Sequence, residues 1–256
     1  MITVEDVRAG MDRGELFVEY QPIVSLESGR CQGAEALVRW RRNNSVLAPS
    51  HFVPLLENTP LSGRLTYWVI DTVAAELGRW LDEHQRAHIS INVPPEILGR
   101  GGLEYAAVRS GLRARVEQIV LEVTERGVPD RLGVEALNTM AERGVRIALD
   151  DTTLSGANLA VLSRCNFKII KLDRALTAQL IENENAPEWL AGLESLLGNS
   201  SLIVIAEGIE SHYQARTLRT AGVKLAQGYL FSTPLPARAL MQFYADTSGP
   251  DPIAVT

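Results

Sequence analysis

Side chains able to hold a divalent cation recur at the ends of short apolar runs in this chain. Ser90-Ile-Asn92 closes one run, Leu121-Glu-Val-Thr-Glu125 a second, Ile147-Ala-Leu-Asp-Asp151 a third and Val204-Ile-Ala-Glu207-Gly-Ile-Glu210 a fourth. Ile169-Ile-Lys171-Leu-Asp173 carries a lysine, Leu225-Ala-Gln227-Gly-Tyr229 a glutamine, and Glu35 lies within Ala34-Glu-Ala-Leu-Val-Arg39. If these runs are parallel strands, their C-terminal ends share one face, and Glu35, Asn92, Glu122, Asp150, Asp151 and Glu207 converge there. Carboxylates so close repel unless they are protonated or neutralised. Oxygen-only donors suit Mg2+, Mn2+ or Ca2+ rather than zinc. Adjacent Asp150 and Asp151 suit a pair of ions. Two ions about 3.5–4 Å apart activate water and stabilise the leaving oxygen of an in-line phosphoryl displacement. Lys171 follows an apolar stretch, where an unpaired ammonium is costly. Among carboxylates it is paired, and it can orient water or neutralise phosphate. Any one strand-end acid is more often a helix cap or a surface ion pair, and Asp173 reads as such a cap. Recurrence at six strand ends is what carries the metal reading.

Eight strand candidates must position these residues: Leu16–Ile23, Cys31–Arg39, His88–Asn92, Gln118–Thr124, Val145–Asp150, Phe167–Leu172, Leu202–Glu207 and Leu225–Phe231. Helical spacing links Leu65, Trp68, Val69, Val73, Leu77 and Trp80, and again Leu132, Leu137, Met140 and Ala141, and Trp189, Leu190, Leu193 and Leu197. Pro94-Pro95-Glu96, Asp130, Asp173 and Ser211 suit helix starts. Eight strands with intervening helices predict a closed α/β barrel of the TIM (βα)8 type, with an open doubly wound sheet as the alternative. Strands one and two are joined only by Ser25-Leu-Glu-Ser-Gly-Arg30, which is too short for a parallel crossover. The expected fold is therefore a modified barrel with an antiparallel first strand and an extra N-terminal helix over Val4–Asp12. A single domain over 1–247 and a loose tail over 248–256 are expected.

The bulk properties narrow the function. At 256 residues the chain has the length of such a barrel, roughly 250 residues. A net charge of −6 argues against a general nucleic-acid surface, though not against one small anion held by metals. Cys31 and Cys165 lack metal-ligand spacing and read as buried thiols, consistent with a cytoplasmic protein. No signal peptide and no membrane-spanning run are legible. His51, His84, His88 and His212 are scattered away from the strand ends, so no histidine triad is expected. No phosphate-binding glycine loop is present. Arg41, Arg42 and the asparagines after them read as a solvated turn, and Trp40, Trp68, Trp80 and Trp189 as core residues.

The ordered motifs resemble the EAL-domain phosphodiesterases that cleave cyclic di-GMP. Glu35-Ala36-Leu37 is the name-giving motif, and Tyr20-Gln21-Pro22-Ile23-Val24 is similar to the family's opening strand. The resemblance runs from about residue 15 to about residue 240. It implies a barrel with a reversed first strand, and Mg2+- or Mn2+-dependent opening of cyclic di-GMP to linear pGpG with two ions per site. It implies Glu35, Asn92, Glu122, Asp150, Asp151 and Glu207 as metal ligands. Lys171 then becomes the catalytic lysine, with Glu207, Gln227 and Glu210 in the catalytic site. Gln21, Leu37, Arg39 and Pro234 become substrate contacts, Arg39 to phosphate, and Glu125 the anchor of the loop after the paired aspartates. Two departures stand out. Asp150-Asp151-Thr-Thr-Leu-Ser-Gly156 replaces the family's Asp-Asp-Phe-Gly-Thr-Gly, and Asn92-Val93-Pro94 replaces Asn-Leu-Ser. The altered loop keeps open a second reading: a cyclic di-GMP receptor or interaction module without turnover. A homodimer and a regulatory protein partner are both compatible with the resemblance.

Overall fold

The computed structural model describes residues 1–124, 130–152 and 164–248. Nine strands lie among them: β1 (Leu16–Ser25), β2 (Cys31–Arg42), β3 (Ser45–Leu47), β4 (His88–Asn92), β5 (Ile119–Thr124), β6 (Arg146–Thr152), β7 (Ile169–Leu172), β8 (Ile203–Ala206) and β9 (Leu225–Ala226). The sheet runs β1-β9-β8-β7-β6-β5-β4-β2-β3, and β1 also pairs with β2, which closes it into an eight-stranded barrel with β3 outside the ring. β1 is antiparallel to both β2 and β9, whereas β2, β4, β5, β6, β7, β8 and β9 follow one another in parallel. The six-residue link therefore does produce a reversed first strand. The fold is the expected barrel, with its N-terminal helix α1 over Val4–Asp12.

The remaining described helices are α2 (Pro60–Glu83), α3 (Gly102–Ser110), α4 (Arg131–Glu142), α5 (Arg174–Thr177), α6 (Glu188–Gly198), α7 (His212–Thr220) and α8 (Ala237–Ser248). Their starts follow local chemistry. Thr3 and Asp6 form a reciprocal capping box on α1, as Ser211 and Gln214 do on α7, and Asp130 accepts from Gly133 N at 2.8 Å. Asp173 caps the four-residue α5, accepting from Ala175 N at 2.6 Å. Pro94-Pro95-Glu96 starts only a 3-10 turn over Pro95–Ile97, because Gly99 and Gly101 then take positive φ and break the helical path. Two further expectations are corrected. Arg41 and Arg42 belong to β2, and only Asn43 and Asn44 form the turn, at φ 49 and 63, before β3. The run expected as a strand over Leu225–Phe231 stops at Ala226, because Gly228 brings the chain against Ile209 too closely for the ladder to continue.

Successive strand residues face opposite ways. One face of the central strands packs outward: Leu121, Val123, Ile147 and Leu149 join one helix-covered core, and Ile170, Leu172, Val204 and Ala206 another. The other face lines the barrel interior, where Ile23, Val120, Ala148, Ile169 and Ile205 form a small apolar layer. Cys31 and Cys165 are buried, and Cys31 Sγ donates to Gly33 O at 3.3 Å. Trp40 and Trp80 are buried, while Trp68 and Trp189 pack against the cores partly exposed. Among the described residues no helix is long and apolar enough to cross a membrane.

Candidate metal centre and cleft

Two residues beyond the interior apolar layer, the same strand face turns polar. Val120 is followed by Glu122, Ala148 by Asp150, Ile169 by Lys171 and Ile205 by Glu207. The step of two keeps each polar side chain on the inward face, and parallel pairing puts all four at the same end. Register brings Asn92 opposite Glu122, and Glu35 opposite Ser90. Asp150 and Asp151 sit at an irregularity in the β6–β7 register, and Asp151 takes a left-handed φ of 54, which aspartate tolerates better than most residues.

At the centre is Lys171, 1% exposed. Its Nζ lies 2.7 Å from Glu207, 2.8 Å from Glu122, 3.0 Å from Glu35 and 3.1 Å from Asp150. The contact to Asp150 is in ion-pair range but outside hydrogen-bond geometry, so Asp150 Oδ1 joins Glu122 Oε1 and Gln227 Oε1 as buried oxygens without a hydrogen-bond donor. Gln227 Nε2 donates to Glu35 at 2.7 Å and to Glu207 at 3.1 Å. Asn92 Nδ2 donates to Glu35 at 2.9 Å.

Burial penalises every charge here, and the neighbours decide the outcome. Burial and the nearby Glu35 charge push Glu122 well above the ordinary carboxylate range. Burial, opposed by Lys171, raises Glu207 to about 8. For Glu35 burial acts upward, but the Lys171 charge and the amides of Gln227 and Asn92 outweigh it and hold the carboxyl low. Lys171 is raised, because four carboxylates overcome the desolvation of its ammonium.

One ammonium cannot balance three buried carboxylates and a half-buried fourth. Oxygens of Glu35, Glu122 and Asp150 lie within 4.8 Å of one another, and two of the three carry an oxygen without a donor. That donor set fits a hard, oxygen-seeking divalent cation. The triad does not include Glu207, which joins through Lys171 and Gln227, nor Asp151, the next residue along β6.

Beside the cluster opens a cleft of about 450 Å³, lined among others by Gln21, Leu37, Arg39, Glu210 and Pro234 as well as Glu35, Glu207 and Gln227. Gln21 Nε2 donates to Ser232 O at 2.8 Å, and Glu210 N donates to Gln214 Oε1 at 2.9 Å. Arg39 Nε donates to Glu19 Oε2 at 2.8 Å. Glu19 stands opposite Leu37 in the β1–β2 ladder, diagonal to Arg39, which explains the pair. The four histidines do not line this cleft. A second depression of about 430 Å³, between α2 and the Pro95–Ile97 turn, lies among Asn58, Tyr67, Glu96 and Arg100, and none of the cluster residues lines it.

The chain has known relatives. The EAL domain profile matches residues 4–234. The chain belongs to the EAL-domain family. It is 33% identical over 237 residues to the probable cyclic di-GMP phosphodiesterase PdeB of Escherichia coli K12, covering 91% of this chain and 45% of that protein. To the cyclic di-GMP phosphodiesterase RocR of Pseudomonas aeruginosa it is 29% identical over 246 residues, covering 94% of this chain and 63% of that one. It thus spans less than two thirds of the length of these curated relatives. The solved cyclic di-GMP complex of the PaMucR phosphodiesterase aligns with a TM-score of 0.82 at 28% identity, covering 93% of this chain and 98% of that one.

In this EAL-domain chain, the cleft has wall residues that the sequence did not single out. Arg174, Ala178, Gln214 and Tyr229 also line the cleft. Their sequence signal is weak, because an arginine after a helix cap and a tyrosine after a glycine are ordinary surface residues. Glu125 and the altered loop from Thr153 onward fall outside the described residues, as does the tail from Gly249.

Proposed function

We propose that this chain is a divalent-metal-dependent phosphodiesterase that opens cyclic di-GMP to linear pGpG. The observation that carries the reading is the cluster itself: three buried carboxylates and a half-buried fourth around one ammonium, with donor-less oxygens, beside a cleft of ligand size. Glu35, Asn92, Glu122, Asp150, Asp151 and Glu207 would hold the Mg2+ or Mn2+ ions. Two such ions would supply a water acidic enough to react near neutral pH and would stabilise the leaving oxygen. Lys171 holds its ammonium among the reacting groups, where it neutralises charge that gathers on the phosphate oxygens. Gln227 fixes Glu35 and Glu207 by its two hydrogen bonds. Gln21, Leu37, Arg39, Glu210 and Pro234 line the cleft in which the dinucleotide would lie, Arg39 contributing a planar guanidinium for phosphate. Water adds to phosphorus, one P–O3′ bond breaks, and the ring opens to a dinucleotide with one 5′-phosphate and one free 3′-hydroxyl.

The test is incubation with cyclic di-GMP and Mn2+ or Mg2+, followed by chromatography, with EDTA as control. Conversion to pGpG that EDTA stops is the expected result. Intact substrate after long incubation, despite calorimetric binding, would favour the receptor reading. The observation behind that second reading is the sequence after Asp151, where both glycines and the phenylalanine of the family pattern are displaced or absent.

A further inference from the structure

The barrel has a second mouth. Its parallel strands begin at the end opposite the carboxylate cluster, and the residues at those starts carry the other sign of charge. Arg30 precedes β2, Arg86 and His88 lie at the start of β4, Arg146 opens β6, Lys168 precedes β7 and Lys224 precedes β9. Arg30, Arg86, Lys168 and Lys224 are exposed, and Arg146 is half-buried. Cations on the segments leading into β5 and β6 are taken up: Arg113 and Arg143 pair with Glu104, and Arg115 with Asp82. The five at the strand starts make no ion pair among the described residues, although the acids Glu27 and Glu117 stand at the same end.

Alternation decides which of these look into the barrel. Arg146 stands two residues before Ala148 and four before Asp150, and His88 two before Ser90 and four before Asn92. The ladders agree, setting Arg146 opposite Val120 of the interior apolar layer and His88 opposite Gly33, two residues before Glu35. Arg146 and His88 thus share the interior rung nearest the opening, below the apolar one. Gly33 puts no side chain over this rung, and a Cβ there would lie 2.0 Å from His88 O. Lys168 N donates to Ile147 O at 3.1 Å, which ties Lys168 to the chain next to Arg146. Burial, then the nearby Arg146 charge, pushes the His88 imidazole down to about 4, so near pH 7 it is uncharged and keeps one N–H to donate. A half-buried guanidinium with no carboxylate beside it has lost hydration without a counter-charge in return.

We infer that this second mouth is an anion site for a compact, multiply charged group of the phosphate class, with Arg146 and His88 inside it and Arg86 and Lys168 on its rim. The donors set the class. A guanidinium meets two phosphate oxygens at once, an imidazole N–H supplies a further hydrogen bond, and exposed cations at the rim raise the local potential for more than one negative charge. A long nucleic-acid backbone suits the chain less, because beyond this mouth it would meet a protein of net charge −6. A soluble phosphate compound and a phospholipid headgroup present the same chemistry here, and the experiment separates them. No residue of the carboxylate cluster or its cleft takes part, so the inference is independent of the cyclic di-GMP reading.

The experiment titrates inorganic pyrophosphate into the full chain by calorimetry, with EDTA present so that no metal in the carboxylate cluster can hold the anion. A single site is expected, weakened by added salt. Arg146→Ala should raise its Kd about tenfold or more. Lys168→Ala and Arg86→Ala change exposed residues that the fold does not need, and should each raise it about two- to fivefold. The ring resonances of His88 should shift in wild type with the same midpoint. Arg39→Ala, at the other mouth, should bind like wild type. A second arm replaces pyrophosphate with phosphatidylcholine vesicles containing phosphatidic acid. Pyrophosphate binding that weakens in the Arg146, Lys168 and Arg86 variants supports the site for a soluble anion. Vesicle binding alone, weakened by the same changes, supports it for a lipid headgroup. Wild-type affinity in all three variants, a loss confined to Arg39→Ala, or no binding in either arm would overturn the inference. Failure to cleave cyclic di-GMP would sink the phosphodiesterase reading and leave this result standing.

Discussion

Two layers of side chains share the interior of this barrel, two residues apart along each strand, and they are built on opposite terms. The lower layer, Ile23, Val120, Ala148, Ile169 and Ile205, is dry and apolar. The upper layer carries Glu122, Asp150, Lys171 and Glu207 on the same strands, joined by Glu35 and Gln227. The lower layer stabilises the fold by burial and gives the upper one a stiff floor. The upper layer opposes folding through crowded charge and is tolerable only with a cation inside it. One scaffold thus keeps stability and chemistry on adjacent rungs, so changes on the two rungs should have different signatures.

The largest expected effect is on the upper rung. Asp150→Asn should lower turnover of cyclic di-GMP with Mn2+ by about 10³-fold, the upper end of what one preorganised electrostatic group contributes. The metal-free protein should melt no lower than wild type, because one crowded charge is gone; a clearly lower melting temperature would place Asp150 among the stabilising residues instead. Lys171→Met should cost roughly 3–5 kcal/mol in denaturant unfolding with EDTA present, because four carboxylates lose their only ammonium. Part of that loss should return with Mn2+, and wild-type stability in EDTA would show that Lys171 is not their counter-ion. On the lower rung, Ile169→Ala should cost about 2–5 kcal/mol, while kcat stays within about threefold below the melting range. A fall in kcat like that of Asp150→Asn would mean that the two rungs are not separable.

The smallest effect is the pH dependence. Glu207 binds its proton up to about pH 8 in the folded chain, against an ordinary value of 4.5. Glu122 is raised in the same direction. Between those values the folded chain holds more protons than the unfolded one, so metal-free stability should fall as pH rises from 4.5 through about 8. Glu35, whose folded value is lowered, adds stability that is present above 4.5 and lost below it, outside this window. Mn2+ bound as proposed would displace the proton, so its affinity should climb over the same window. Melting curves with and without Mn2+ across that range check both signs, and a metal-free melting temperature that rises with pH would contradict the assignment.

Much of this was legible beforehand, for local reasons. The six-residue link between β1 and β2 allows only an antiparallel pair, and the structure has one. Asp130, Asp173 and Ser211 do cap helices. The errors came where a distant segment decides local geometry. Leu225–Phe231 has the composition of a strand, but contact with Ile209 ends it after two residues. Arg174 and Tyr229 carry no pattern of their own and become cleft residues only in the folded barrel.

The alternation of apolar and ligand-type residues along each strand, Val120 then Glu122, Ala148 then Asp150, Ile169 then Lys171, Ile205 then Glu207, was determined by the chain itself. A period of two assigns a face without reference to any partner. Which of those faces meet was not. The contact of Lys171 with four carboxylates and the donor-less oxygens of Glu122 and Asp150 depend on closure between β1, β2 and β9, strands up to about two hundred residues apart. Strand pairing across such separations is set by the packing of the whole barrel, so only the tertiary structure could decide it.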